Sequence, residues 1–270
     1  MTAANASSGM GKVWFIGAGP GDPDLITVKG LRILQEADVV VYTDSLVSDA
    51  LIARARPDAE VLGSAGMTLE EIVAVLVARA RAGKTVARVH TGDPSVFGAV
   101  LEQMAMLERE GIPYEIVPGV SAVFAAAAAA RVELTVPELC QTVILTRVEG
   151  RTPMPEGERL RDLARHGCTL ALFLSATLTK KVMAELRAAG WGDDTPVVVV
   201  YKATWPDERI LRTTLGELDE AVRRAGIRSH AMILAGRALD PELARSSAYR
   251  SRLYDPAFTH GYRTGRGEGA

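Results

Sequence analysis

Three short glycine-containing segments hold the residues best suited to bind a small molecule. They are residues 17–22 (G-A-G-P-G-D), 91–98 (T-G-D-P-S-V-F-G) and 118–122 (P-G-V-S-A), and each follows a short apolar run. Glycine lets a ligand approach the main chain closely. If the apolar runs are parallel strands, their carboxyl ends meet at one sheet edge, which is where ligands bind in such folds.

The first segment does not fit a dinucleotide-binding fingerprint. Its third small residue would fall on Asp22, and Pro20 removes a backbone donor from the turn. The carboxylates of Asp22 and Asp24 would also repel a pyrophosphate. The segment is therefore not predicted to bind NAD, and a tight turn that ends a strand is the simpler interpretation.

The second and third segments offer more side chains to a ligand. Val96 and Phe97 would form an apolar wall beside Gly92. The alternative for Asp93 is a purely local role, since Asp often bonds to the backbone two residues further on. Ser121 fits equally well as a helix N-cap and as a ligand contact.

The elements that must position these segments alternate between strand and helix. The clearest helix begins at Thr68, which forms a capping box with Glu71. We predict strands at 12–16, 38–42, 85–90 and 114–117 and helices from Thr27 to Ala37, after Thr68 and over 99–110, with 125–130 as a packed alanine helix. This order predicts an α/β fold with a mostly parallel sheet covered by helices.

The pattern changes near residue 132. Strands are predicted at 142–146, 169–174, 196–201 and 230–235, a helix at 178–189, and an antiparallel partner strand at 208–214. We therefore predict a flexible leader at 1–11, an N-terminal α/β domain at 12–131, a C-terminal α/β domain at 132–240 and a tail at 241–270. The end of the tail, 259–270, lacks periodicity and is expected to be disordered.

Composition limits the classes of function. The net charge of −2 gives no global field for nucleic acid, so local Arg or Lys must hold any anionic ligand. Cys140 and Cys168 form no metal-binding pair, and we expect two buried free thiols and no metal site. The apolar runs are far shorter than the roughly 20 residues of a membrane span, and the leader lacks signal-peptide features, so a cytoplasmic location is expected.

Taken together, the three segments resemble the tetrapyrrole methyltransferase family. The runs T-G-D-P-S-V-F-G-A-V-L-E-Q-M and E-I-V-P-G-V-S-A-V-F-A-A-A-A-A are similar to the branch that methylates C11 of precorrin-4. The runs Y-T-D-S-L-V from Tyr42 and L-F-L-S-A-T from Leu172 agree with that branch. The resemblance covers about residues 12–238. It implies transfer of a methyl group from S-adenosyl-L-methionine to carbon in cobalamin biosynthesis, giving precorrin-5 and S-adenosyl-L-homocysteine.

The resemblance also implies a fold and a site. The family has two α/β domains with a cofactor cleft between them and is usually a homodimer. By resemblance, Pro20 lines the cofactor pocket, and Thr91, Gly92 and Asp93 contact the methionine moiety. The other cofactor-binding positions carried over are Val96, Phe97, Ser121, Ala122, Leu174, Ala203 and Met232. Ala99 stands where uroporphyrinogen III methyltransferases usually have Arg, which argues against that branch and removes one cationic contact for substrate carboxylates.

Methylation of a macrocycle carbon displaces a proton, which calls for a general base. The candidate is Asp44, at the end of a strand; the alternative is that Asp44 caps a helix near 46–53. His90 is interpreted as a core histidine bonded to the backbone. Substrate acetate and propionate groups need cations, and those available are Arg147, Arg151, Lys202, Arg245, Arg250 and Arg252.

Several alternatives remain at the level of sequence. The substrate is either precorrin-4 or its cobalt complex, because the ring periphery is the same. Another member of the family, methylating a different ring position or a protein side chain, is a second hypothesis. A nucleotide-binding oxidoreductase or a non-catalytic tetrapyrrole carrier is a third, which Pro20 and Asp22 argue against.

Overall fold

The computed structural model of the chain describes residues 9–245, 249 and 251–265. It divides into two compact units. The first comprises Met1–Ala125 together with Lys202–Glu208, and the second comprises Ala126–Tyr201 and Arg209–Ala270. No helix in these described ranges is long and apolar enough to cross a membrane.

The first unit is built on a parallel sheet in the order β3-β2-β4-β1-β5. The three central strands of this order are almost fully buried, because helices cover both faces of the sheet, whereas the two edge strands are partly exposed. The strands are β1 (Val13–Gly17), β2 (Val39–Tyr42), β3 (Glu60–Gly63), β4 (Val86–His90) and β5 (Tyr114–Val117). The helices are α1 (Val28–Glu36), α2 (Asp49–Ile52), α3 (Leu69–Arg81) and α4 (Leu101–Arg109), and α5 (Ala122–Ala130) begins in this unit and ends in the second.

Alternation along the strands separates two apolar clusters. Phe15 and Val41 pack on one face with α3 side chains such as Leu76, whereas Ile16 and Val40 pack on the other. The predicted caps are confirmed: Thr27 caps α1, and Thr68 and Glu71 form the capping box of α3.

The second unit is built on a mixed sheet in the order β6-β7-β10-β8-β9. β6 and β7 are parallel, and β10 is antiparallel to both β7 and β8. The predicted antiparallel pairing of β8 with β9 is confirmed. The elements are β6 (Val143–Arg147), α6 (Leu160–Ala164), β7 (Thr169–Phe173), α7 (Thr179–Ala188), β8 (Pro196–Tyr201), β9 (Arg209–Thr214), α8 (Leu218–Arg224) and β10 (Ala231–Ala235).

The sequence patterns missed short or edge elements. β3 has partly exposed side chains at the sheet edge, and α6 and α8 are no longer than seven residues, so none carries a full periodic signal. The helix considered near 46–53 is present as the single turn α2. Cys168 is buried as expected, but Cys140 is only partly buried.

The leader at 1–11 and the chain end at 259–270, both predicted to lack regular structure, lie only partly within the described residues. Residues 1–8 and 266–270 lie outside them. Residues 259–265, expected to be irregular, form a turn in which the main chains of His260 and Arg263 bond reciprocally and Gly265 N donates to Thr259 Oγ1. These local bonds leave no periodic signal in the sequence.

Candidate cofactor and substrate site

Three loops of the first unit follow the neighbouring strands β4, β1 and β5 and therefore lie together at the carboxyl edge of the sheet. The main chains of the first two pair directly: Gly92 N donates to Gly19 O at 2.8 Å, and Gly19 N donates to Gly92 O at 3.2 Å. Ala18 N also donates to His90 O at 2.7 Å. The loops are thus one hydrogen-bonded assembly.

Close packing of these loops explains two of their glycines. A Cβ atom on Gly119 would lie 2.2 Å from Gly92 O, and one on Gly17 would lie 2.5 Å from Gly119 Cα. Gly92 itself has room for a Cβ, but its φ of +61° is a conformation that other residues rarely adopt. The glycines at 17 and 119 are therefore required by contact between the loops.

Asp93 connects the second loop to the third. Its Oδ2 accepts from Gly119 N at 2.8 Å, and its Oδ1 accepts from Ser95 N at 2.8 Å and from the Ser95 hydroxyl. Burial raises the pKa of Asp93, but these hydrogen bonds outweigh it and hold that pKa below its ordinary value. Since a carboxylate accepts about four hydrogen bonds, roughly one acceptor position remains for a ligand cation.

The end of the second loop is strained. Phe97 and Ala99 have φ values of 54° and 49°, in the left-handed region. For a residue with a side chain, this left-handed conformation is about 1–2 kcal/mol less favourable than the right-handed one. Phe97 is 49% exposed, and Val96 beside it is partly buried. Strain retained at an exposed apolar turn is typical of a ligand-binding loop.

The third loop leads into α5 at Ala122. Ser121 is buried, and its carbonyl accepts from Phe124 N at 3.1 Å. Its hydroxyl has no hydrogen-bond partner among the described residues, so it does not cap α5 and is free for another acceptor or donor.

A segment distant in sequence completes the first loop. Ala203 is buried in Lys202–Glu208, and two neighbours hold Pro20 and Asp22: Trp205 Nε1 donates to Pro20 O at 2.9 Å, and Asp22 N donates to Thr204 Oγ1 at 3.0 Å. The segment that contains Ala203 is thus bonded to the first loop within the first unit. Sequence reasoning missed Thr204 and Trp205, although a tryptophan in a polar loop was the available signal.

The structure places nine predicted cofactor-binding residues on these loops and this segment, and two elsewhere. Leu174 follows β7 in the second unit, 72% exposed and with φ of 52°. Met232 is buried in β10, opposite Val200 of β8. The nine are Pro20, Thr91, Gly92, Asp93, Val96, Phe97, Ser121, Ala122 and Ala203.

A cavity of about 560 Å³ opens at the carboxyl ends of β6 and β7 in the second unit. Leu174 lines it together with three cationic side chains. Arg147 is fixed by donation to the carbonyls of Thr152 and Pro153, and Lys181 pairs with Glu149 at 3.2 Å. The third cation, Arg151, is exposed and has no ion pair among the described residues. The cavity could hold carboxylates beside an apolar group.

Asp44 is an exposed side chain just after β2. Its Oδ1 accepts from Ala65 N at 2.7 Å, whereas α2 is capped by Ser48, so the alternative of a helix cap is wrong. β4 lies between β2 and β1 in the sheet, which sets Asp44 roughly 10 Å to one side of the first loop at 4.8 Å per strand.

His90 differs from the expected backbone-bonded histidine. It is 4% exposed, and its Nε2 has no partner among the described residues. Burial and then the charge of Arg88 lower the pKa of His90 to about 3. The buried imidazole is therefore neutral at physiological pH.

Comparisons with known proteins identify the family. The family model for tetrapyrrole (corrin/porphyrin) methylases matches residues 12–219. A cobalt-precorrin-4 C(11)-methyltransferase from Priestia megaterium is 67% identical over 254 residues, 94% of this chain and 98% of that protein.

Two solved structures are similar as well. That of a cobalt precorrin-4 methyltransferase has a TM-score of 0.84 at 69% identity, over 85% of this chain and 96% of that one. That of a uroporphyrin-III C-methyl transferase from Thermus thermophilus, in complex with S-adenyl homocysteine, has a TM-score of 0.72 at 33% identity, over 85% and 94%. With a family model spanning most of its length and relatives this similar, the chain belongs to the tetrapyrrole (corrin/porphyrin) methylase family.

Proposed function

We propose that the protein transfers a methyl group from S-adenosyl-L-methionine to C11 of precorrin-4 in cobalamin biosynthesis. The observation that carries the proposal is the 67% identity to a cobalt-precorrin-4 C(11)-methyltransferase over nearly the full length of both chains. That relative's name favours the cobalt complex over metal-free precorrin-4 as the substrate.

The residues of the first unit fit the cofactor. Gly92 adds no side chain to the loop surface, Asp93 retains an acceptor position for an α-ammonium group, and Val96 and Phe97 offer an apolar wall. When bound, S-adenosyl-L-methionine supplies a sulfonium methyl that is already strongly electrophilic. The protein's own contribution is then orientation, which supplies roughly 7–11 kcal/mol of barrier reduction in favourable cases.

Asp44 is proposed as the general base that removes the proton from the methylated ring. Its Oδ1 is held by Ala65 N, which fixes the direction of the carboxylate and leaves Oδ2 available. In Asp44→Asn the amide oxygen can still accept from Ala65 N, but the basicity is lost. We expect turnover to fall by roughly 10²–10⁴-fold with unchanged affinity for S-adenosyl-L-homocysteine. Equal losses of turnover and of affinity for S-adenosyl-L-homocysteine would instead indicate that Asp44 has a structural role.

The cationic cavity of the second unit is proposed to bind substrate carboxylates. Arg147 and Arg151 are suited to this because a guanidinium pairs with a carboxylate through two parallel hydrogen bonds. This assignment would replace the cationic contact that is missing at Ala99. The proposal also includes a homodimer in the cytoplasm, as the family resemblance implies. Exposed Leu101 and Phe124, 76% and 61% exposed, are consistent with a further contact surface, and light scattering would measure the oligomeric state.

The test of the function is methyl transfer from isotopically labelled S-adenosyl-L-methionine to precorrin-4 and to cobalt-precorrin-4, with NMR location of the new methyl carbon. Label at C11 is expected. Label at another ring position, or binding of NAD in place of S-adenosyl-L-homocysteine in calorimetry, would contradict the proposal. The ratio of kcat/KM for the two substrates identifies the preferred one.

A further inference from the structure

Arg88 is a cation buried at the centre of the first sheet. It lies in β4 and is 4% exposed. Its Nη1 donates to Val41 O at 3.3 Å and to Ser64 Oγ at 3.0 Å, and its Nε donates to Gln103 Oε1 at 3.2 Å. Among the described residues no carboxylate pairs with it.

A contribution to protein stability does not explain why a guanidinium is buried at this position. Burial lowers the pKa of Arg88 to about 10, so the group remains charged at neutral pH although no described carboxylate balances its charge. Replacement of buried charges by well-packed apolar side chains often leaves protein stability unchanged or raises it. The best-documented role of a buried charge is to select one arrangement of the surrounding chain over others. What Arg88 arranges can be read from its neighbours.

Gln103 carries the connection from Arg88 to the second loop. While its Oε1 accepts from Arg88, its Nε2 donates to Ala99 O at 3.0 Å. Ala99 directly follows that loop and has the strained φ of 49°. α4 lacks any side-chain cap at Val100, so Gln103 holds the start of this helix as well as the end of the loop.

On its other side Arg88 holds the end of β2. Ser64, which accepts from Arg88, donates its own hydroxyl proton to Tyr42 O at 2.9 Å. Asp44 lies two residues beyond Tyr42 and bonds to Ala65 N, next to Ser64. One guanidinium therefore links the segment that carries the proposed base with the loop that carries the proposed cofactor contacts.

We propose that Arg88 and Gln103 are positioning residues, which fix the backbone of Ala99 and thereby the geometry of loop 91–98 for methyl transfer. The inference rests on the proposed function for what the loop does, but the hydrogen-bond relay itself can be tested without turnover. Neither residue touches the reacting atoms in this scheme.

The chemistry of the Gln103 amide provides a discriminating variant. An amide accepts from Arg88 and donates to Ala99 O, whereas a carboxylate only accepts. Gln103→Glu therefore gives Arg88 an ionic partner but removes the donor to the Ala99 carbonyl. The carboxylate oxygen that replaces this donor would repel the carbonyl oxygen. A role limited to the burial of Arg88 predicts a variant as active as the wild type; a positioning role predicts a stable variant with an impaired loop.

The experiment compares wild type, Gln103→Glu and the exposed control Gln35→Glu. The measurements are Tm, the Kd of S-adenosyl-L-homocysteine, kcat, KM and amide hydrogen exchange over residues 91–100. For Gln103→Glu we expect an unchanged or higher Tm, faster exchange in the loop, and a Kd raised at least about fivefold, the equivalent of one lost hydrogen bond. Adding Ala99→Gly should restore part of the affinity, since glycine adopts this φ without strain.

Two results would overturn the inference. One is a Gln103→Glu variant with wild-type loop exchange and wild-type Kd; the other is a fall in Tm that matches the loss of affinity. Failure of the proposed function looks different: the wild type would not methylate C11, while the difference in loop exchange between wild type and Gln103→Glu would persist.

Discussion

At the scale of single residues, His90 makes a specific contribution to the pH dependence of stability. The pKa of His90 is about 3 in the folded state, whereas an ordinary histidine has a pKa of 6.5. Below pH 6.5 this histidine is therefore protonated in the unfolded chain but remains neutral in the folded chain. The stabilisation is complete above pH 6.5 and is lost as the pH falls. We expect the free energy of unfolding to decrease by about 1.4 kcal/mol per pH unit from this group below pH 6.

Denaturant titrations of wild type and His90→Phe between pH 7 and pH 4.5 measure this contribution. The slope should be shallower in His90→Phe, because Phe takes up no proton in the unfolded state. His166→Gln is the matched control, since His166 is exposed. Parallel curves for wild type and His90→Phe would mean that His90 is protonated in the folded protein.

At the scale of elements, the segment Lys202–Glu208 is expected to set the shape of the first loop. Trp205→Phe keeps an aromatic ring beside Gly21 but removes the donor to Pro20 O. We expect the Kd of S-adenosyl-L-homocysteine, measured by calorimetry, to rise roughly fivefold, as for one hydrogen bond. Trp191→Phe is the control, because Trp191 Nε1 makes an equivalent 2.9 Å bond to Ala164 O in the second unit. An equal loss of affinity in both variants would point to a general loss of stability.

For the protein as a whole, we expect charge to affect the binding of the tetrapyrrole but not the binding of S-adenosyl-L-homocysteine. The chain carries a net charge of −2, so it does not attract a polyanionic tetrapyrrole as a whole, and local cations must do so. Arg151→Glu is expected to raise the KM for the tetrapyrrole at least about tenfold, the effect of one charge-assisted hydrogen bond, without changing the Kd of S-adenosyl-L-homocysteine. Added salt should raise the wild-type KM as well.

Steady-state kinetics at two ionic strengths, with Arg165→Glu as an exposed control in the same unit, would check this expectation. A KM for Arg151→Glu equal to that of wild type would remove the cavity at the ends of β6 and β7 from the substrate site.

The alternation of strands and helices, the caps at Thr27 and Thr68, and the three loops that follow β1, β4 and β5 were predictable from the amino-acid sequence, because they depend on periodicity and on local hydrogen bonds. The short helices α6 and α8 could not be predicted, because neither is long enough to show a periodic pattern.

Three features became visible only in the folded chain: which loops bond to each other, the folding of Lys202–Glu208 with the first unit, and the connection from Arg88 to Ala99 through Gln103. Local pattern carries no information about such contacts, because they join residues brought together by the order of the strands in the sheet. The partner of a buried side chain is set by packing across that sheet, and packing is a property of the folded chain.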